Sequence, residues 1–507
     1  MSYRGAMGDI EQDVLVVGAG PTGLALACAL AQWRVPVRVV DAAAAPSHGS
    51  RAKGVQPRTL EVLDGLGVAG RLVAGGRFRM PVRRYAGPDD RVGTLHDLHP
   101  GAESGPQRPY GRTLLTPQWR VEEVLRDRLA DLGVAVDQGR IVVGLAQEAD
   151  RATVSFADGT ATAARYVVGC DGGSSAVRRL LGVSFLGETH EGVRLLLGDV
   201  RLDGLDRDAW HQFGGPTRDD WLGLCPLPAT DTFQFQGAVP PGSPDPELSL
   251  EAFQAAVDAV TTGVRLRELV WASRWRLNVR MVDRYRVDRV FLGGDAAHVH
   301  SPAGAQGMNT GIQDASNLGW KLAHVLRGAD PALLDTYGAE RLPVAADVLG
   351  LSTLLTGRRM EDRGAEGDAT LQFGVSYRGG PLAVEPGEGI ARPGDRAPGD
   401  RAPDAPGRTV DGARVRLYEL FRPDPDPHWT VLGFGVTPPR VNGPVHGVTV
   451  GASGDVVDAD GHARDAYAPA GGELVAVRPD GHIGARGSEA DVTAFLRGVL
   501  PAVPAEV

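Results

Sequence analysis

Asp295, His298 and His300 stand in the stretch GGDAAHVHSPAGAQGMN, residues 293–309, and their types and spacing admit two chemistries. Histidines two apart project to the same side of an extended chain, and a nearby carboxylate completes a two-His, one-carboxylate metal site. Alternatively, Asp295 holds the sugar-phosphate part of a cofactor, while the glycine-rich turn and the helix after it hold the cofactor's ring. Taken alone, the stretch leaves both open. A second constellation lies far upstream, where Gly18-Ala-Gly20-Pro21-Thr22-Gly23 reads G-x-G-x-x-G and Asp41 follows 23 residues after Gly18. The first glycine of such a string makes a tight turn, the second lets backbone N–H groups approach a pyrophosphate, and the third permits close helix packing. The acid is placed to accept from adenosine ribose hydroxyls and disfavours a 2'-phosphate there.

These residues need particular elements under them. DVLVV at 13–17 is an apolar run of strand length, the glycine string follows it directly, and the small-residue stretch LALACALA comes next. With VPVRVVD at 35–41 this makes a β-α-β unit, in which Pro21 sits where a first-turn proline is tolerated. VDRVFLGGD at 287–295 repeats the buried-strand pattern; Ile312, Ala315, Leu318, Leu322 and Val325 then line one face of a helix that can end at Gly328. YVVGCDGGSSAVRR, 166–179, places Asp171 at a strand end before a helix capped by Ser174 or Ser175. Asp158-Gly159 is a hairpin turn signal. Strand-like runs between 190 and 280, with one helix around SLEAFQAAVDAV, predict an antiparallel sheet facing a substrate.

At 507 residues the chain has room for about three domains. The predicted fold class is α/β: a discontinuous Rossmann-like domain over 1–185 and 281–375, and an antiparallel-sheet substrate domain over 186–280. A Gly- and Pro-dense linker or wrapping arm over 376–408 and a small α/β domain over 409–507 follow. The net charge of -10, spread along the chain, argues against a nucleic-acid or anionic-membrane partner. No apolar run of transmembrane length and no signal peptide is read, so a cytoplasmic location is expected. Oligomeric state is not readable. The three cysteines, Cys28, Cys170 and Cys225, form no C-x-x-C pair, which excludes a disulfide framework and a thiolate zinc site. Basic residues are almost all arginine; Lys53 and Lys321 are the only lysines, a bias attributed to genome composition.

Only one dinucleotide fingerprint is present. In order along the chain come GAGPTG, SRAKG, TPQWRVE, VGCDGGSSAVRR, VFLGGDAAHVHSPAGAQGMNTGIQDASNLGWKLA and LLDTYGAERLPVA. This set, over residues 12–345, resembles the class A FAD-dependent monooxygenases, or aromatic hydroxylases. The likeness is closest to bacterial polyketide and antibiotic hydroxylases that end in a thioredoxin-like domain without active cysteines. The resemblance implies FAD as resident cofactor, NADPH or NADH as reductant, and dioxygen with a small aromatic molecule as partners. It implies that Gly18, Gly20, Pro21, Thr22 and Gly23 bind the pyrophosphate and Asp41 the adenosine ribose. Arg51 and Gln118 would lie along the cofactor's middle portion. Asp171 would serve both FAD and the reductant, Gly294 and Asp295 the ribityl chain or pyrophosphate, and Pro302 the isoalloxazine face. Gly307, Met308 and Asn309 would supply backbone contacts. Two departures stand out: Asp41 where Glu is commoner, and Ala305 for the second glycine of P-x-G-G-Q-G. No metal is expected on this reading, and the histidines become structural.

The implied activity is hydroxylation of an aromatic, polycyclic polyketide or antibiotic through a flavin C4a-hydroperoxide, with Baeyer-Villiger-type insertion or drug inactivation as alternatives on the same scaffold. A non-catalytic flavoprotein that binds an aromatic ligand is the remaining alternative. The helix N-terminus after Ser301 favours an anionic reduced ring. Trp210, Phe213, Trp221, Leu224, Phe233 and Phe235 fall on the predicted antiparallel sheet and are candidates for an aromatic-lined substrate wall. His211 is the candidate general base for a phenol.

Overall fold

The computed structural model describes residues 12–97, 104–214, 221–301, 303–356, 369–384, 396–422 and 426–501. Its first sheet has Gln12–Val17 near the centre, between Ala161–Gly169 and Val37–Val40. Val136–Asp137 lies beyond Val37–Val40, and Val290–Leu292 beyond Ala161–Gly169, all paired in parallel. Val14, Leu15 and Val16 have no solvent exposure, as expected of a parallel strand covered on both faces. Helix Pro21–Gln32 covers one face and is crossed by helix Gly307–Leu326. The crossing is close because the contacts are small: a Cβ on Gly319 would lie 2.9 Å from the Ala29 methyl, and one on Gly311 would collide with Thr22. The Asp158-Gly159 turn joins Ala152–Phe156 to Ala161–Gly169, with Gly159 at φ +83°.

Two long strands, Phe185–Asp203 and Arg265–Val282, pair antiparallel and leave the first sheet for a second. Phe233–Val239, Trp221–Pro226 and Trp210–Gly214 extend that sheet antiparallel. The second sheet also recruits chain from outside 186–280: Val82–Arg84 and Thr94–His96 add at one edge, and His298–Val299 at the other. Helix Leu250–Asp258, capped by Ser249, presses Phe253 and Val257 onto one face only.

The last sheet places Trp429–Phe434 between Val445–Gly451, parallel, and Leu474–Val477, antiparallel. Ile483–Gly487 closes this side, and helix Glu489–Val499 starts in a Ser488/Asp491 capping box. Among the described residues the sheet has seven strands, as a small mixed α/β unit, and its sequence holds no cysteine. It is not a detached appendage. Trp429, Leu474, Ala485 and Phe495 belong to the same hydrophobic core as Val14 and Leu318. Across the junction, Arg478 makes a two-point pair with Glu340 at 2.6 and 2.8 Å, while Lys321 Nζ reaches Glu340 at 2.7 Å. Arg478 also pairs with Asp480, and these four side chains are at most 2% exposed. Burial alone would raise the Glu340 carboxyl, but Arg478 and Lys321 outweigh it and bring it down to about 2. The described parts of the 376–408 segment wrap this junction, with Tyr377 N donating to Gly399 O at 2.8 Å. Among the described residues, no helix is long and apolar enough to cross a membrane.

Candidate functional site

One cavity of about 1120 Å³ runs from the glycine loop to the second sheet. Ordinary small-ligand pockets occupy about 300–1,000 Å³, so it has room for an extended cofactor and a second flat molecule. Gly18, Gly20, Pro21, Thr22, Asp41, Arg51, Gln118, Asp171, Asp295, Gly307 and Met308 line it. The glycine string divides its labour as the motif requires. Gly18 is at φ +108°, and a Cβ there would strike the Cys170 carbonyl. A Cβ on Gly23 would strike Gly18 O, whereas one on Gly20 meets nothing within 4 Å. Open space over Gly20 is where a ligand backbone can approach. Asp41 steadies the loop, accepting from Ala19 N at 2.6 Å and Ala43 N at 2.8 Å. Each oxygen keeps lone-pair capacity for a hydroxyl.

Several predicted contacts turn out to build the walls. The Asp171 carboxylate accepts from Ala176 N, Val177 N and the Ser175 hydroxyl, while Ser175 Oγ caps Arg178 N. Its oxygens serve the helix Ala176–Leu180, and the residue itself lines the cavity. Gln118 staples the Ser50–Gly54 loop, accepting from Ala52 N and donating to Glu122. Asn309, fully buried, accepts from Gln56 N at 2.8 Å and donates to Gly54 O and Ala305 O. Gly294, at φ +59°, and Gly23 lie behind the lining, in packing contact with Thr22 and Gly18. Pro302 lies outside the described residues.

The metal reading fails on geometry. His298 Nε2 donates to the Asp314 carboxylate at 2.7 Å, and His300 Nδ1 donates to Ser301 O at 2.8 Å. The two rings share a side, nearly parallel with centroids 6.5 Å apart, but among the described residues no group of three or more His, Cys, Asp or Glu side chains is placed to hold a metal ion. Asp295 instead is exposed to the cavity, and desolvation by the walls around it raises its carboxyl pKa, with His298 and Arg51 opposing. Burial brings His300 down to about 4, so its ring is neutral.

The second sheet corrects the predicted substrate wall. Strand residues alternate between faces. Trp210, Trp221, Gln236, Leu197 and Trp275 face the cavity. Phe213, Leu224, Phe233 and Phe235 point the other way, into the core under helix Leu250–Asp258. His211 is on that far face too, fully buried, bonded to Tyr85 OH at 2.8 Å and Asp206 O at 2.9 Å. Burial lowers its pKa, Asp206 opposing, and it borders no part of the cavity. It is a core histidine, not a base for the cavity.

The FAD binding domain family matches residues 11–352. A flavin-dependent monooxygenase of Mycobacteroides abscessus is 43% identical over 485 residues, 93% of this chain and 96% of the relative. The chain belongs to the FAD-binding monooxygenases. A rifampicin monooxygenase of Streptomyces venezuelae is 40% identical over 66% of this chain and 69% of its own length. A ternary complex of aklavinone-11 hydroxylase with FAD and aklavinone superimposes with a TM-score of 0.81 at 28% identity, covering 97% of this chain and all of that one.

An FAD-binding monooxygenase needs a cradle for a dianionic pyrophosphate, and the open Gly20 backbone at a helix N-terminus fits it. Sequence reasoning missed Lys53, Trp275 and Gln236. Lys53 Nζ sits 4.0 Å from the Trp210 ring centroid at the joint of the Ser50–Gly54 loop and the second sheet. It is bonded to Gln234, whose amide donates to Ser50 O. The signal was available: lysine is rare here, and Lys321 is buried in an ion cluster as well. Composition explains the arginines but not where the two lysines stand. Trp275 stands two residues after Ser273 in the strand Arg265–Val282, and both line the cavity.

Proposed function

We propose that this chain hydroxylates a flat polycyclic aromatic molecule of the polyketide or antibiotic class, with NADPH or NADH as reductant and dioxygen as co-substrate. The observation carrying this reading is the continuity of one cavity from the glycine loop, past the turn Ala303–Met308, to the wall of Trp210, Trp221 and Trp275. Bound FAD supplies the electron-transfer and oxygen chemistry. The chain's residues do the rest. Gly18 to Gly23 present backbone N–H groups to the pyrophosphate, and Asp41 accepts from the adenosine ribose. Arg51 and the first turn of helix Gly307–Leu326 bring positive potential to the middle and ring portions. Indole faces position a planar ligand and exclude water from the reacting edge. Arg194, Arg274 and Arg276 line the outer cavity and suit a ligand that carries phenolic or carbonyl oxygens.

The similarity to a rifampicin monooxygenase keeps antibiotic inactivation as a second outcome, which the product distinguishes. The test is anaerobic stopped-flow reduction of the FAD-loaded protein by NADPH and by NADH, with hydroxynaphthalenes, hydroxyanthraquinones and rifampicin, then mixing with oxygen. Ligand-accelerated reduction and a product heavier by one oxygen atom are expected. Reduction indifferent to every ligand, with no oxygenated product, would leave a ligand-binding flavoprotein instead.

A further inference from the structure

The turn that separates the cofactor side of the cavity from the helix below it is held by a residue beyond the family segment. Ala305 adopts φ +54°, a left-handed conformation that an L side chain rarely takes, beside Gly304 at φ +80°. Such a conformation persists only where surroundings over-determine it. Here the surroundings are a set of buried amides. Gln306, fully buried, donates from Nε2 to Gly304 O at 2.6 Å and to Thr370 O at 2.9 Å. Its Oε1 accepts from Gln372 Nε2 at 2.7 Å. Gln372 Oε1 in turn accepts from Gln313 Nε2 at 2.6 Å, and Thr59 Oγ1 lies 3.4 Å away. Gln372 is 3% exposed and is itself at φ +63°. The carbonyls of Gly304 and Thr370 fix which end of Gln306 donates, and that assignment passes through Gln372 to Gln313, so the array has one arrangement. The family match ends at residue 352, and Gln372 lies past it.

We propose that Gln372 is a positioning residue for the flavin: it locks Gln306, which holds the strained Ala305 turn that lines the cofactor cavity. The inference rests on the FAD reading above. Ala305 is the cause of the dependence, since glycine at that position adopts the same φ without strain. The turn therefore needs the clamp only because alanine stands there.

The test is a two-by-two set, Gln372→Leu, Ala305→Gly and the double variant, in the full chain. FAD dissociation constants come from flavin fluorescence, and amide exchange is followed over residues 303–308. Gln372→Leu should weaken FAD binding by about tenfold, the scale of one lost buried hydrogen-bond partner, and speed exchange in the turn. Adding Ala305→Gly should recover most of that loss. Should Gln372→Leu fail to fold, Gln372→Met keeps most of the volume and removes both the donor facing Gln306 and the acceptor facing Gln313. Unchanged affinity in a folded Gln372 variant, or no recovery on adding Ala305→Gly, overturns the proposal. Unaltered protein that retains no FAD would sink the cofactor reading as well.

Discussion

A Cβ at Gly20 meets open space, while at Gly18 and Gly23 it meets backbone, so substitutions within one motif should separate binding from folding. Gly20→Val is expected to change stability by no more than about 0.5 kcal/mol and to weaken FAD binding by at least about tenfold. Gly18→Ala and Gly23→Ala should each cost about 1–3 kcal/mol or more through overpacking, read by urea denaturation of the apoprotein. Asp199 supplies a pH prediction. It is buried beneath the Ser50–Gly54 loop, accepts from Ser50 N, and burial raises its carboxyl to about 6, with Ser50 and Lys53 opposing. An acid whose folded pKa exceeds its unfolded value of 3.8 favours the folded state while protonated, so its contribution declines as pH rises between those two values. Asp199→Asn does not titrate. Relative to the unaltered protein it should gain on the order of 2–3 kcal/mol between about pH 4 and pH 7, measured by denaturation at each pH. A stability difference that does not change with pH would show that Asp199 is not held neutral.

At the scale of the strand, facing decides role. Phe213 and Trp221 sit on adjacent paired strands, but Phe213 faces the core and Trp221 the cavity. Phe213→Ala should cost about 3–5 kcal/mol of stability, as buried aromatics do. Trp221→Ala should cost far less, and titration with a hydroxyanthraquinone should find weaker ligand binding. The same alternation marks the limit of what could be read beforehand. Strand, glycine turn, helix and acid were legible from Val14 to Asp41 because each has a local signature, and the helix after Gly307 was legible from its apolar period. Substrate-facing residues were not, because aromatic content says that a strand is half-buried and does not say which face meets the cavity. His211 and Trp210 are adjacent in sequence and end on opposite sides. The amides of Gln306, Gln313 and Gln372 left no trace either, since their role depends on contacts 59 and 66 residues apart.

Across the whole molecule, the C-terminal unit is bound to the cofactor domain by a shared core and a charge cluster that closes only when both are present. Arg478→Met leaves Glu340 and Asp480 short of a partner in a dry site and should cost about 3–5 kcal/mol. Because the cluster spans the junction, tryptophan fluorescence and far-UV circular dichroism should trace one coincident urea transition. Two separated transitions would mean that the units fold apart. Lys321 is at the centre of this cluster, and Lys53 is at the other joint, between the cofactor loop and the substrate sheet. No other side-chain amine exists in the sequence. Acylating reagents therefore meet at most the 7% of Lys53 that borders the cavity, and each joint carries its own chemical reporter. Acylation rates at the two positions, resolved by peptide mass under mild denaturant, would give the opening free energy of the substrate joint and of the C-terminal joint separately.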